Sequence, residues 1–292
     1  MTGGNVDQEV PRRGAAADIR YLLVVSRPRF WLYLAGPVLV GVAFGADGTA
    51  SFLSAAALAL FGYFLVPANV YLYGINDIFD RDVDAENPKK EDREVRYDGR
   101  TAVPAAVVVS GLAAVPLFGV LSLEAAVWVL AFLALGAAYS APPLRLKTVP
   151  PLDSAVNGLY VLPGVAAFAA VAGHQAPAVA VLGGWTWAMG MHTFSAIPDV
   201  EPDRAAGIET TATWLGVRNT FRYCAGCWLV AALAFAALDV RFLLVFGWYP
   251  LIALGTPRIG ASVDRVYWWF PWINTAAGAA LTIAGLWVTV HG

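Results

Sequence analysis

Nine apolar runs, separated by polar connections, occupy most of this sequence: about 30–46, 52–75, 102–120, 124–140, 152–172, 177–197, 214–237, 241–257 and 267–289. A helix that crosses a bilayer needs roughly 20 mostly apolar residues. In hydrocarbon only helices and closed barrels satisfy their own backbone polar groups. The pattern therefore predicts an all-α membrane protein with nine transmembrane helices in one bundle. Hydrophobic residues make up 59% of the chain, above the roughly 45–50% of a water-soluble domain. Pro67, Pro116, Pro163 and Pro250 fall within the runs and predict kinks. Residues 1–25 read as a polar tail with an interfacial segment, and 26–292 as one transmembrane domain. No cleavable signal pattern precedes the first run. Cys224 and Cys227 lie inside an apolar run and give no disulfide framework.

The basic residues predict an orientation. With a cytoplasmic N-terminus and alternating spans, 18 of the 19 Lys and Arg fall inside, and Arg241 is the exception. The positive-inside rule then predicts a multi-pass protein of the cell membrane with its N-terminus in the cytoplasm. The acids gather on the same side, apart from Asp47, Glu124 and Asp239.

Two acidic clusters end apolar runs. Asn76-Asp77-Ile78-Phe79-Asp80-Arg81-Asp82-Val83-Asp84 follows the second run, and Asp199-Val200-Glu201-Pro202-Asp203 follows the sixth. Ionisable groups at membrane depth are costly and functional by default. If the helix continues through the first cluster, Asp77, Asp80 and Asp84 share one face, with Asn76 one turn before Asp80. Asp199 and Asp203 form an i, i+4 pair. Asp82 and Glu201 point elsewhere. Two facing carboxylate sets suit Mg²⁺, which takes a few carboxylates, waters and phosphate oxygens. The implied ligand is a diphosphate clamped between two helix ends on the cytoplasmic side. The polar loops that follow, 85–100 and 204–216, are candidate lids.

These residues resemble a known family. Asn76-Asp77-x-x-Asp80-x-x-x-Asp84 is similar to the first signature of the UbiA superfamily of intramembrane prenyltransferases. Asp199-x-x-x-Asp203, followed by Arg204, Gly207, Thr210 and Thr211, is similar to the second. Tyr139-Ser140-Ala-Pro-Pro-Leu-Arg145-Leu-Lys147 resembles the family's loop after the fourth helix. The resemblance runs from Ser26-Arg27-Pro28 to the last helix. The stretch Glu86 to Tyr97 departs from the short Asn-x-Arg-Pro segment of many members. With Arg27-Pro28-Arg29-Phe30-Trp31-Leu32-Tyr33 and His192 to Asp199, it resembles the lycopene elongase branch, which builds C50 carotenoids.

The resemblance implies helices around a central cavity with a cytoplasmic cap of loops and short helices. It implies Mg²⁺, an isoprenyl diphosphate (dimethylallyl in this branch) and a lipophilic acceptor such as lycopene in the lipid bilayer. Carried over by motif position, Asn76, Asp77, Asp80, Asp84, Asp199 and Asp203 hold the metal, with Asp77, Asp80, Asp199 and Asp203 central to catalysis. Lys89, Lys90, Arg93, Arg96, Arg145, Lys147 and Arg204 are candidate diphosphate ligands, because cations neutralise charge on a departing diphosphate. Tyr71, Tyr73, Tyr139, Asn157 and His192 are candidate pocket walls. Phe64, Tyr160, Trp187 and Phe194 are further π faces for an allylic cation. The acceptor's terminal double bond attacks that cation, and the product cation loses a proton or captures water. Asp153, Asn157 and His192 are candidate proton acceptors.

Other readings compete. A quinone-pathway enzyme would take a polar aromatic acceptor, for which no dedicated site is evident. A cation-coupled transporter would place acids near mid-membrane, with a path to both faces; here they cluster at one face. Nothing points to nucleic acid. Any single basic residue has a plainer role in topology or headgroup contact. The plainer role of His192 is that of a hydrogen-bonded core histidine.

Overall fold

The computed structural model describes residues 15–81, 99 and 101–291, and all regular structure among them is helical. In chain order the α-helices longer than four residues are α1 (Ala15–Val25), α2 (Trp31–Gly45), α3 (Ala55–Leu65), α4 (Pro67–Phe79), α5 (Ala102–Leu112) and α6 (Leu123–Ser140). They continue with α7 (Leu162–Ala172), α8 (Ala178–Ser195), α9 (Val200–Ala205), α10 (Thr211–Leu238), α11 (Trp248–Arg258) and α12 (Val263–His291).

Eight helical segments among the described residues are long and apolar enough to cross a membrane: Pro28–Gly45, Thr49–Phe79, Ala102–Gly119, Leu123–Ser140, Leu152–Ala172, Thr211–Leu238, Val240–Arg258 and Val263–His291. They match eight of the nine apolar runs. The sixth run forms α8, an 18-residue helix that falls outside this set. Its Gly, Thr, Trp and His residues dilute its hydropathy, and it packs against α10 and against the interior rather than facing outward throughout. The spanning criterion is therefore met eight times, where the sequence predicts nine.

Helix boundaries follow local chemistry. Ser54 and Ser122 accept backbone N–H bonds from Ala57 and Ala125 at the starts of α3 and α6. Thr210 and Thr213 form a reciprocal capping box at the start of α10. Pro67 breaks the second span, so α3 stops at Leu65 and α4 restarts at Pro67. A proline removes a helical hydrogen bond. The Asn69 side-chain amide donates to the carbonyls of Phe64 and Leu65, both at 3.0 Å. Such repair is what hydrocarbon demands. Pro116 and Pro163 likewise fall where one helical segment of a span gives way to the next, whereas Pro250 lies in the first turn of α11. The interior prolines are Pro37, Pro257 and Pro271.

Two apolar clusters form the core. One centres on Leu34, Phe64, Phe132 and Leu162, joining α2, α3, α6 and α7. The other centres on Phe194, Trp228, Tyr249 and Phe270, joining α8, α10, α11 and α12. Outward faces carry exposed Leu233, Leu244, Leu251 and Trp287, the surface expected against lipid. Helices α2 and α7 cross at two glycines. A Cβ on Gly41 would stand 2.1 Å from the Gly164 carbonyl oxygen, and one on Gly164 would stand 2.7 Å from the Pro37 oxygen. Small residues of this kind let backbones approach where lipid gives no hydrophobic drive to associate. At the end of the bundle remote from the acid motifs, Arg241 donates to Asp239 at 2.5–3.0 Å and holds its carboxyl down to about 2. The basic residue that breaks the charge pattern is thus neutralised by a neighbour.

Gly41→Leu is expected to separate α2 from α7 by more than side chains can absorb. The cost should exceed the roughly 1–3 kcal/mol of ordinary overpacking. Thermal unfolding of the purified protein in detergent, beside Gly36→Leu as a control, checks this. A Cβ on Gly36 meets nothing within 4 Å.

Candidate active site

The last turn of α4 delivers Asn76 and Asp77, and Asp80 caps it with its N–H on the Asn76 carbonyl at 3.0 Å. Lys147 Nζ donates both to Asn76 Oδ1, at 3.1 Å, and to Asp80. One ammonium can reach both only if the i and i+4 side chains share a face, as the spacing predicts. Ser140 at the end of α6 adds a hydrogen bond to Asn76 Oδ1 at 3.1 Å, and Arg145 Nη2 reaches Asp80 Oδ1 at 3.3 Å. From the other direction, Arg27 Nη2 donates to the buried Asp77 at 3.1 Å while its guanidinium lies 4.6 Å from the Tyr73 ring centroid. Three chain segments thus converge on one helix end.

The backbone marks the same place. Among the described residues only Arg27 (φ 50°) and Arg145 (φ 39°) are non-glycine residues in the left-handed region. Such conformations cost of order 1–3 kcal/mol and persist where surrounding contacts hold them. Both arginines carry a carboxylate contact with the acidic turn.

Above this cluster opens a cavity of about 1130 Å³ between the two core clusters, beyond the roughly 300–1,000 Å³ of common ligand pockets. Its walls come mainly from α2, α7, α8 and α12. It reaches from Arg27, Asn76 and Tyr139 to Leu238, Asp239 and Phe242 at the opposite end of the bundle. Along α8 it is lined from Ala180 to Ser195, a rise of roughly 22 Å at 1.5 Å per residue. The wall is overwhelmingly apolar, with its charges at the two ends.

Most predicted pocket residues line this space: Tyr73, Tyr139, Asn157 and His192, together with Tyr160 and Trp187. Tyr71 does not. It packs in the first core cluster and its hydroxyl donates to the Leu133 carbonyl at 2.9 Å. Residues two apart on a helix point roughly 200° apart, so Tyr73 faces the cavity and Tyr71 faces α6. Phe64 and Phe194 are core residues for similar reasons. Asp153 is a buried brace: its carboxylate accepts the Thr211 N–H at 2.9 Å and the Thr211 hydroxyl, at the first turn of α10. Arg204 donates to the Thr213 carbonyl at 2.7 Å and to Glu201 at 3.1 Å, tying the loop between α9 and α10. Asp199 and Asp203 are half-buried, Asp199 immediately preceding α9 and Asp203 one turn on within it. Asp84, Lys89, Lys90, Arg93 and Arg96 lie outside the described residues.

Arg27 enters the sequence reading through the charge pattern and the branch resemblance but not as a site residue; its signal is an Arg-Pro pair entering an apolar run. Tyr33 and Tyr267, both lining the cavity, were missed as well.

The donor chemistry suits a hard cation. Asn76, Asp77, Asp80, Asp199 and Asp203 offer only oxygen, with no thiolate or imidazole among them. Among the described residues no three His, Cys, Asp or Glu side chains converge as a cage for a metal. Mg²⁺ needs no such cage, because it keeps waters and takes phosphate oxygens beside one or two carboxylates. The residues present fit an ion shared with a diphosphate.

Comparison with known proteins bears on this arrangement. A model of the UbiA prenyltransferase family matches residues 34–288. The lycopene elongase/hydratase of Halobacterium salinarum is 58% identical over 273 residues, covering 94% of this chain and 99% of the relative. That of Haloferax volcanii is 57% identical over 279 residues, covering 96% and 93%. A UbiA homologue from Archaeoglobus fulgidus, solved with GPP and Mg²⁺, superposes with a TM-score of 0.71 at 19% identity, over 91% of this chain and 99% of the homologue. The same homologue with DMAPP and Mg²⁺ gives 0.70 at 18% identity, over the same shares of the two chains. At that identity the likeness concerns the fold.

Arg27→Ala leaves Asp77 buried without this cation and is expected to cost roughly 1–3 kcal/mol. A double-mutant cycle with Asp77→Asn should return a coupling of about 0.5–3 kcal/mol in thermal or denaturant unfolding.

Proposed function

The chain belongs to the UbiA prenyltransferase family, and from that premise we propose that it moves a dimethylallyl group from its diphosphate to a lycopene-like carotenoid, with Mg²⁺ bound and water captured at the acceptor. The observation that carries the reading is the cavity: the acid turn and its cations cluster at one end, and an apolar wall runs through the depth of the bundle. A diphosphate needs the first and a long polyene needs the second. The high identity to lycopene elongase/hydratases over nearly the whole of both chains supports the carotenoid acceptor. DMAPP in the Archaeoglobus homologue supports the donor class.

The residues divide the work. Asn76, Asp77, Asp80, Asp199 and Asp203 would hold Mg²⁺, joined by Asp84 on motif position. The bound ion would neutralise charge that develops on the leaving diphosphate. Arg27, Arg145 and Lys147 stand at the acid turn and add fixed positive charge there. Lys89, Lys90, Arg93, Arg96 and Arg204 join them in this reading as candidates from the flanking loops. The rings of Tyr73, Tyr139 and Tyr160 give the allylic cation π faces instead of nucleophiles. The acceptor's terminal double bond then attacks from within the apolar cavity, where water is scarce. The inside excess of Lys and Arg supports a cytoplasmic mouth for the diphosphate.

Expression in lycopene-accumulating cells is expected to yield C45 and C50 pigments, and Asp80→Ala should lower their yield at least about a hundredfold. Chromatography with mass spectrometry reads both. With purified protein, chelation of divalent cations should stop release of diphosphate from DMAPP, and added Mg²⁺ should restore it.

A further inference from the structure

We infer that His192 is the general base that takes a proton from the water captured by the acceptor cation, and so decides between an alcohol and an olefin product. The inference rests on the carotenoid-transfer reading above and assigns a residue to its last step.

The polar groups that face this cavity or flank its acid end narrow the choice. Asp239 lines the opposite end and is paired with Arg241, away from the acid turn. Asp153 commits both carboxylate oxygens to Thr211. Asn157 is a non-basic amide whose Nδ2 donates to the Asp153 carbonyl at 2.5 Å. Deeper in, Tyr249 donates to Asn274 Oδ1 at 2.7 Å and Asn274 donates to the Tyr33 hydroxyl at 3.3 Å. That trio is mutually satisfied and contains no strong base. Ser154, Thr193 and Tyr223 likewise bond among themselves.

His192 differs. It stands in the last turn of α8 and lines the cavity. Among the described residues its ring nitrogens have no hydrogen-bond partner, which is not the arrangement of a hydrogen-bonded core histidine. The ring is held by an edge-to-face contact with Tyr139, centroids 6.1 Å apart. Tyr139 lines the cavity beside Asn76 and Arg27, and the next residue, Ser140, bonds Asn76 in the acid turn. The imidazole is therefore one side chain from the diphosphate end, where the new bond forms. Burial disfavours an imidazolium here, and the Asp153 carboxylate, held in place by Thr211, offsets part of that cost.

The step balances. The C–O bond of the allylic diphosphate breaks and its electron pair leaves with the diphosphate. The π pair of the acceptor's terminal double bond forms the new C–C bond, leaving a tertiary cation on the neighbouring carbon. A water oxygen lone pair closes on that carbon, a ring nitrogen of His192 takes the proton, and a tertiary alcohol remains. The imidazolium later returns the proton to solvent. Without the base, the same cation discharges by losing a C–H proton to the departing diphosphate, which gives an olefin.

The test uses the full chain in lycopene-accumulating cells grown with isotope-labelled water, comparing wild type, His192→Gln and His192→Ala. Gln keeps side-chain volume and hydrogen bonding but has no basicity. The readout is the ratio of alcohol to olefin among elongated pigments, which reduced folding or accumulation does not change. A fall of at least about a hundredfold in both variants, the low end of general-base effects, is the expected result. An unchanged ratio, with both products reduced together, would mean that His192 only supports the structure, and the inference fails. Elongated wild-type pigments without labelled oxygen would also overturn it while leaving carotenoid transfer standing. No elongated pigment from wild type would remove the functional reading itself.

Discussion

Charge pairing at one end of an apolar bundle is the constraint from which this structure follows. Carboxylates at membrane depth are tolerated only with partners. Asp77 finds Arg27, fifty residues earlier, and Asp80 finds Arg145 and Lys147, more than sixty residues later. These pairs draw the entry to α2, the end of α4 and the loop after α6 together at one mouth. The same cations that quiet the acids are the ones a diphosphate would need, so the stabilising network and the candidate site share their residues.

Packing leaves room for an apolar molecule inside the bundle. The backbones of α2 and α7 meet at Gly41 and Gly164, which keeps one wall thin. Rings such as Phe194, Trp228 and Phe270 fill the opposite half. Between them lies an apolar cavity with polar groups at its ends and one mutually bonded trio part-way down. An interior of this kind protects an allylic cation by offering ring faces and little water. In the proposed reaction, hydration would depend on the side chain that stands at the acid end of this interior.

Particular residues show how far the sequence reached. Asn76 and Asp80 do share a face, because i and i+4 on a helix leave no alternative, and Lys147 confirms it by bonding both. Tyr71 and Tyr73 were equal as ring faces in the sequence, yet only one can look inward on a helix packed on two sides. Asp153 and His192 were both candidate bases. The first proves to be a brace for α10, and the second is left facing the cavity.

The sequence by itself determined what depends on local spacing and on the solvent. It prescribed the helical membrane class, the polar end, the oxygen-donor motifs and their family. Apolar length and i, i+4 geometry are properties of a single segment in lipid. The tertiary structure decided which cation meets which acid, which tyrosine faces the cavity and which histidine keeps its ring nitrogens unengaged. These depend on how segments distant in the chain pack, and hydropathy carries no record of that.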